Sequence, residues 1–263
     1  MSLHMKIGVF DSGFGGLTVL KALLQLVPQA EYLYFGDTAR LPYGSKSVET
    51  VARYACEAAR FLEQHGAQLL VIACNTATAL ALDQIRAAAS VNVVGVIDPG
   101  AQRARASTQA GKVIVLGTEA TVASHAYRGA LAKLNIESRE KSCPLLVPLI
   151  EEGWVNHKVT EEVAGIYLNE AFSDGFQTAD VLLLGCTHYP LIKPLLQRIA
   201  PPGVSLVDSA ESVAQVVREI VAPGAAAGAV RFLVTDSTDK FRRLGKHFLG
   251  REIHAIEHVD LKE

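Results

Sequence analysis

Leu69-Leu70-Val71-Ile72-Ala73-Cys74-Asn75-Thr76 and Val181-Leu182-Leu183-Leu184-Gly185-Cys186-Thr187-His188 are two copies of one pattern, an apolar run of strand length closed by a thiol and two hydrogen-bonding residues. A run of Val, Ile and Leu without polar alternation belongs to a strand covered on both faces, the signature of parallel sheets in α/β folds. Working outward from the first copy, strand-length runs at 7–10, 32–35 and 93–97 alternate with helical periods at 17–26, 48–64 and 76–89. The runs at 112–116, 145–150, 181–184 and 204–207 repeat that series about 106–112 residues later, and such a period marks a duplication. The expected fold is therefore α/β, with two similar halves on mainly parallel sheets and Cys74 and Cys186 in equivalent places. The same register sets Phe10-Asp11-Ser12-Gly13 near Leu116-Gly117-Thr118-Glu119. A low-complexity stretch, 222–228, precedes a strand-helix-strand pattern from 231 to 259, which parity assigns to the first half. The expected domains are 1–98 with 209–263, and 99–208.

Composition narrows the partners. The chain has 263 residues, is 49% hydrophobic and carries a net charge of −2 from 25 basic and 27 acidic residues. No basic run offers a patch to nucleic acid or to a membrane surface, which leaves a small molecule as the expected partner. Apolar runs of about 5–8 residues fall far short of the roughly 20 that span a bilayer. Met1-Ser2-Leu3-His4-Met5 lacks the form of a secretory signal, and Met5 reads as the natural start. A cytoplasmic location follows as an expectation. The four cysteines, at 56, 74, 143 and 186, show no Cys-x-x-Cys pairing, so free thiols are expected rather than a zinc site. Cys56 and Cys143 read as packing residues.

Ligands of open parallel sheets bind beyond the carboxyl ends of the strands. Cys74 and Cys186 both lie there, where backbone N–H groups and a helix N-terminus lower a thiol from about 8.5 towards neutrality. One such cysteine is most simply buried packing. A pair, each followed by polar residues that have little to offer a dry core, points instead to proton transfer. Asp11-Ser12-Gly13-Phe14-Gly15-Gly16 opens the first helix with small residues that can show N–H groups to an anion, though Asp11 also suits a helix cap. The Gly-x-Gly-x-x-Gly spacing of dinucleotide sites is absent, which argues against a nicotinamide cofactor. Leu41-Pro42-Tyr43-Gly44 is a rigid turn in a long connection, the kind of segment that carries function or is simply a turn. His188 is placed to tune the Cys186 thiol or to cap. Glu151, after Leu149-Ile150, reads as a third strand-end acid or as a solvated surface residue.

Four blocks carry a resemblance: residues 11–18, Pro42-Tyr43-Gly44, Cys74-Asn75-Thr76-Ala77 and Gly185-Cys186-Thr187-His188-Tyr189-Pro190-Leu191. In this order and spacing they closely resemble the glutamate racemases of the aspartate/glutamate racemase family, over nearly the whole chain. The resemblance implies interconversion of L- and D-glutamate for peptidoglycan synthesis, with no pyridoxal phosphate and no metal, on two α/β domains with the site between them. It implies that Cys74 takes the α-proton of D-glutamate and Cys186 that of L-glutamate, Asp11 assisting the first and His188 and Glu151 the second. It implies substrate contacts at Asp11, Ser12, Pro42, Tyr43, Gly44, Asn75, Thr76, Thr118, Thr121, Thr187 and His188. Members often form homodimers, and nothing in the sequence marks the interface.

Inverting a stereocentre by proton exchange needs a base on one face and an acid on the other. Two halves related by a pseudo-twofold axis supply one thiol each. Without an electron-sink cofactor, preorganised dipoles must stabilise the carbanion-like transition state, and Ser12, Asn75, Thr76 and Thr187 are the candidates. The nearest rival reading is aspartate racemisation on the same fold; the more distant one is an amino-acid-binding protein with a similar cleft.

Overall fold

The computed structural model of the protein describes residues 5–224 and 227–261. The expected start at Met5 concerns residues 1–4, which lie outside the described residues, as do positions 225 and 226 of the low-complexity stretch. In chain order the first half runs β1 (Lys6–Asp11), α1 (Leu17–Leu26), β2 (Glu31–Gly36), α2 (Val48–Gln64), β3 (Leu69–Ile72), α3 (Asn75–Ala88) and β4 (Asn92–Gly95). There follow α4 (Ile97–Ser107), β5 (Lys112–Gly117), α5 (Glu119–Ala123), α6 (Ala126–Ala132), β6 (Glu137–Ser142), α7 (Leu146–Glu151) and α8 (Lys158–Ala171). The chain continues with β7 (Val181–Gly185), α9 (Lys193–Ile199), β8 (Ser205–Asp208), α10 (Ser209–Ile220), β9 (Val230–Val234), α11 (Thr238–Leu249) and β10 (Glu257–His258).

Two sheets form, ordered β10-β9-β2-β1-β3-β4 and β6-β5-β7-β8, and every strand pair in both is parallel. β1 lies between β2 and β3, with Phe10 beside Phe35 and Ile72, just as β5 lies between β6 and β7, with Gly117 beside Ser142 and Gly185. The four strands of the second sheet thus repeat the order β2-β1-β3-β4. Cys74 follows β3 and Cys186 follows β7, the equivalent strands. The chain from residue 230 returns to the first sheet, where β9 pairs with β2 and β10 with β9.

One expected strand is absent. Residues 145–150 enter α7, with Leu145 as its N-cap; Leu146 and Ile150 are buried four residues apart while Leu145 and Pro148 are exposed. Pro148 lacks the N–H that a strand within a parallel sheet must donate, so the apolar run folds as a helix. The second strand of that half is instead β6, Glu-Ser-Arg-Glu-Lys-Ser, at the edge of its sheet. An edge strand that faces water tolerates charge, which hides it from a search for apolar runs. Glu151 accordingly ends a helix and is not a strand-end acid.

The core has three parts. The largest runs from α1 and one face of the first sheet through Ile114, Leu184, Ile192 and Phe248, so it continues beneath both sheets. The other face of the first sheet packs on α2 and α3, and that of the second on α4 and α6. Each fully buried Leu, Ile or Phe in these layers contributes about 1.5–3 kcal/mol of apolar burial. That holds the strand ends rigid, and the functional side chains stand on them. Among the described residues no helix is long and apolar enough to cross a membrane.

Candidate active site

A cavity of about 410 Å³ opens at the carboxyl ends of β1, β3, β5 and β7, and both Cys74 and Cys186 line it. Ser12, Pro42, Tyr43, Gly44, Asn75, Thr76, Thr118, Glu151, Thr187 and His188 line it as well. Two of the expected residues stand behind its wall, since Asp11 and Thr121 are buried but are not part of the lining. Cys143 also lines it, which its reading as a packing residue did not foresee; Cys56 is a partly buried residue of α2. All four thiols are free.

Around Cys74 the first half supplies the groups. Cys74 is the N-cap of α3, and its sulfur accepts the Ala77 N–H at 3.4 Å and faces the Ser12 hydroxyl at 3.5 Å. The expected lowering of this thiol is not found. Burial, with the Asp11 carboxylate adding to it, pushes Cys74 up to about 12 and outweighs the hydrogen bonds that favour the thiolate. Cys74 therefore keeps its proton at neutral pH. Asp11 does not cap α1, whose N-cap is Gly16 without a side-chain bond. One Asp11 oxygen accepts the Gly13 N–H at 2.9 Å, and the other has no hydrogen-bond partner among the described residues. Burial lifts the Asp11 carboxyl above its ordinary value, against the pull of the His188 charge.

Around Cys186 the arrangement is a relay. His188 Nδ1 lies 4.0 Å from the Cys186 sulfur and 3.5 Å from Thr187 Oγ1, and its Nε2 lies 3.1 Å from Glu151 Oε1. Burial alone would lower the imidazole, but its contacts with Cys186 and Glu151 raise it from 6.5 to about 10. Glu151 answers in kind: burial would raise it, yet the His188 contact holds it below the usual carboxylate range. A positive imidazolium is thus held beside Cys186 at neutral pH. The ring of Phe248, from α11 of the first half, meets His188 edge-on at 5.0 Å between centroids.

The wall between the halves is knitted by hydroxyls. Thr76 Oγ1 lies 3.0 Å from Thr118 Oγ1 and 3.3 Å from Thr121 Oγ1, while Thr118 caps α5 by accepting the Thr121 N–H at 3.2 Å. Thr121, outside the lining, touches the cavity wall through Thr76 and Thr118. The Leu41–Gly44 turn is held from below by Asp37, which the sequence reading passed over. Its buried carboxylate accepts the Tyr43 hydroxyl at 2.5 Å and Thr235 Oγ1 at 3.0 Å, and pairs with Arg40, whose guanidinium stacks 4.1 Å over the Tyr54 ring. Asp37 directly follows β2 as Asp11 ends β1, and that position was the available signal. Among the described residues no three or more His, Cys, Asp or Glu side chains are grouped to hold a metal ion.

The chain matches the Asp/Glu/hydantoin racemase family over residues 7–217. The glutamate racemase of Koribacter versatilis is 56% identical, with 97% of each chain covered. The crystal structure of the glutamate racemase of Francisella tularensis in complex with D-glutamate superposes with a TM-score of 0.90 at 37% identity, covering 98% of both chains. That of Thermus thermophilus, in complex with β-chloro-D-alanine, superposes with a TM-score of 0.87 at 44% identity, covering 98% of this chain and 97% of its own.

Proposed function

The chain belongs to the Asp/Glu/hydantoin racemase family, and from there we propose that it interconverts L- and D-glutamate by passing the α-proton between Cys74 and Cys186. The observation that carries this reading is one thiol from each sheet, at equivalent strand ends, in the lining of a single cavity. Its volume suits a small amino acid. In the L-to-D direction Cys186, beside the His188 imidazolium, takes the α-proton and Cys74 returns one from the other face. In the D-to-L direction the roles exchange, as microscopic reversibility requires. Arrival of a substrate ammonium near Asp11 offsets the negative charge that keeps the Cys74 thiolate costly.

Asp11 assists Cys74, and the His188–Glu151 pair assists Cys186. Ser12, Asn75, Thr76, Thr118 and Thr187 hold the substrate with neutral donors, Pro42, Tyr43 and Gly44 close the far end, and Thr121 keeps Thr76 and Thr118 in register. Residues 1–98 with 209–263 make one domain of this enzyme and 99–208 the other, a division supported by the pairing of β9 with β2. Its D-glutamate supplies peptidoglycan synthesis in the cytoplasm, a location supported by four unpaired thiols, which stay reduced there. A homodimer, common in the family resembled, belongs to the same reading.

The test is proton exchange in D₂O with L-glutamate, D-glutamate and L-aspartate supplied separately. Loss of optical activity and incorporation of α-deuterium are expected with both glutamates. Exchange with none of the three supports an amino-acid-binding role, and faster exchange with aspartate supports the rival substrate.

A further inference from the structure

Each cysteine-bearing turn is fastened by a side chain from the opposite half. In the turn after β7, Cys186 O accepts the Tyr189 N–H and His188 O accepts the Leu191 N–H, both at 3.1 Å. The Thr187 carbonyl between them faces Pro190 at the same spacing, and proline has no N–H to give. The Thr18 hydroxyl of α1 fills that place, donating to Thr187 O at 2.9 Å from a buried position. Thr18 Oγ1 also lies 2.9 Å from Gly15 O, but that carbonyl already accepts the Thr18 backbone N–H at 3.0 Å. The carbonyl of Thr187 is the acceptor left in need of the hydroxyl proton. The approach is close enough that a Cβ at Gly15 would stand 2.2 Å from Thr187 Oγ1.

The other turn is held in return. Asn75, next to Cys74, is buried, and its Nδ2 donates to the Tyr127 hydroxyl at 2.7 Å, with Ser209 Oγ at 3.4 Å. Tyr127 sits on α6 of the second half, wholly buried. Its ring lies so near the strand end before Cys186 that a Cβ at Gly185 would stand 2.9 Å from Tyr127 Cε2. One ring therefore leans on the strand that presents Cys186 while its hydroxyl grips the residue that follows Cys74.

We propose that Thr18 and Tyr127 are positioning residues, each holding the cysteine-bearing turn of the opposite half and so setting where the two sulfurs meet one substrate carbon. The inference rests on the two-thiol reading above. Proton transfer tolerates little misplacement, with about 1 Å of error costing about 10²-fold. Racemisation alone cannot tell which turn has moved, because its equilibrium constant is unity and kcat/KM falls equally in both directions. An irreversible reaction that uses one thiolate can tell.

The probe is β-chloroglutamate of L or D configuration at the α-carbon. The thiolate on the matching face takes the α-proton, the C–H electron pair becomes the Cα–Cβ double bond, and chloride leaves with its bonding pair. Water then hydrolyses the enamine to a 2-oxoacid and ammonium, and the 2-oxoacid is measured. Thr18→Val is expected to slow elimination from the L analogue about tenfold more than from the D analogue, and Tyr127→Phe to show the opposite bias. Thr18→Ser, which keeps the hydroxyl, restores wild-type ratios. Ser209→Ala removes the other Asn75 contact and gives the Tyr127→Phe bias by a smaller change. A purely structural role slows both analogues alike, and that result overturns the inference provided that Cys74→Ser and Cys186→Ser each still abolish elimination from one analogue. Should the two cysteine variants show no such split, the two-thiol reading falls and takes this inference with it.

Discussion

Cys74 and Cys186 stand in unlike surroundings, yet the proposed two-thiol mechanism predicts the same consequence for losing either. Cys74 is buried beside Asp11 and pushed up to about 12, whereas Cys186 has His188 Nδ1 at 4.0 Å. Replacing either sulfur by a hydroxyl removes an acid or base worth about 10²–10⁴-fold. Cys74→Ser and Cys186→Ser should each cut racemisation of glutamate by that range in a coupled polarimetric assay. A near-wild-type rate in either would remove that cysteine from the mechanism. His188 makes a pH argument available, because its contacts raise it from 6.5 to about 10. A raised group stabilises the fold fully below its unfolded value and loses that contribution as pH rises through the folded one. The charge-dependent part of the Tm gap between wild type and His188→Asn should therefore be full at pH 6, shrink above 6.5 and be lost beyond about 10, leaving the part due to the ring's packing on Phe248. The same variant should lower kcat about 10–100-fold, the worth of a charge-assisted hydrogen bond of about 1.5–3 kcal/mol.

At the level of elements, strand ends and the turns beyond them must approach closely, and glycine makes this possible where a side chain would intrude. Gly185 ends β7 against the Leu116 carbonyl, which a Cβ would meet at 2.8 Å, and against the Tyr127 ring. The backbone oxygen cannot swing aside as a flexible side chain would. Gly185→Ala should destabilise the fold by about 1–3 kcal/mol through overpacking, read as a lower urea midpoint at unchanged slope. It should also lower activity more than the lost stability explains, since Cys186 is the next residue. The short helix α7 has a similar presenting role, because its last residue is Glu151 and its Ile150 anchors that end in the core.

For the whole molecule, the largest core cluster runs under both sheets, and the hydroxyl contacts of Thr76 with Thr118 and Thr121 cross from one half to the other. Substrate filling the cavity between the halves should couple them further. Glutamate at a hundred times its Kd should stabilise the protein by about 2.7 kcal/mol, seen as a rise in Tm. Cys74→Ser should keep most of that rise, because in the proposed mechanism the thiol moves a proton and does not anchor the ligand. A Tm unchanged by glutamate in the wild type would contradict binding in this cavity.

The sequence alone determined the α/β class, the duplicated series of strands and the equivalence of Cys74 and Cys186, because buried parallel strands must be written as unbroken apolar runs. It also marked most of the cavity lining, since ligands gather at strand ends. It misplaced 145–150 and missed the charged strand β6, whose edge position frees it from the apolar rule. Only the tertiary structure decided that Asp11 and Thr121 stand behind the wall, that Cys143 joins it, and that Thr18, Asp37 and Tyr127 hold the site from a distance in sequence. It also reversed the expected direction for the Cys74 thiol. The physical reason is common to all of these: burial and partnership depend on which distant segments close over a residue, and local pattern carries no record of that closure.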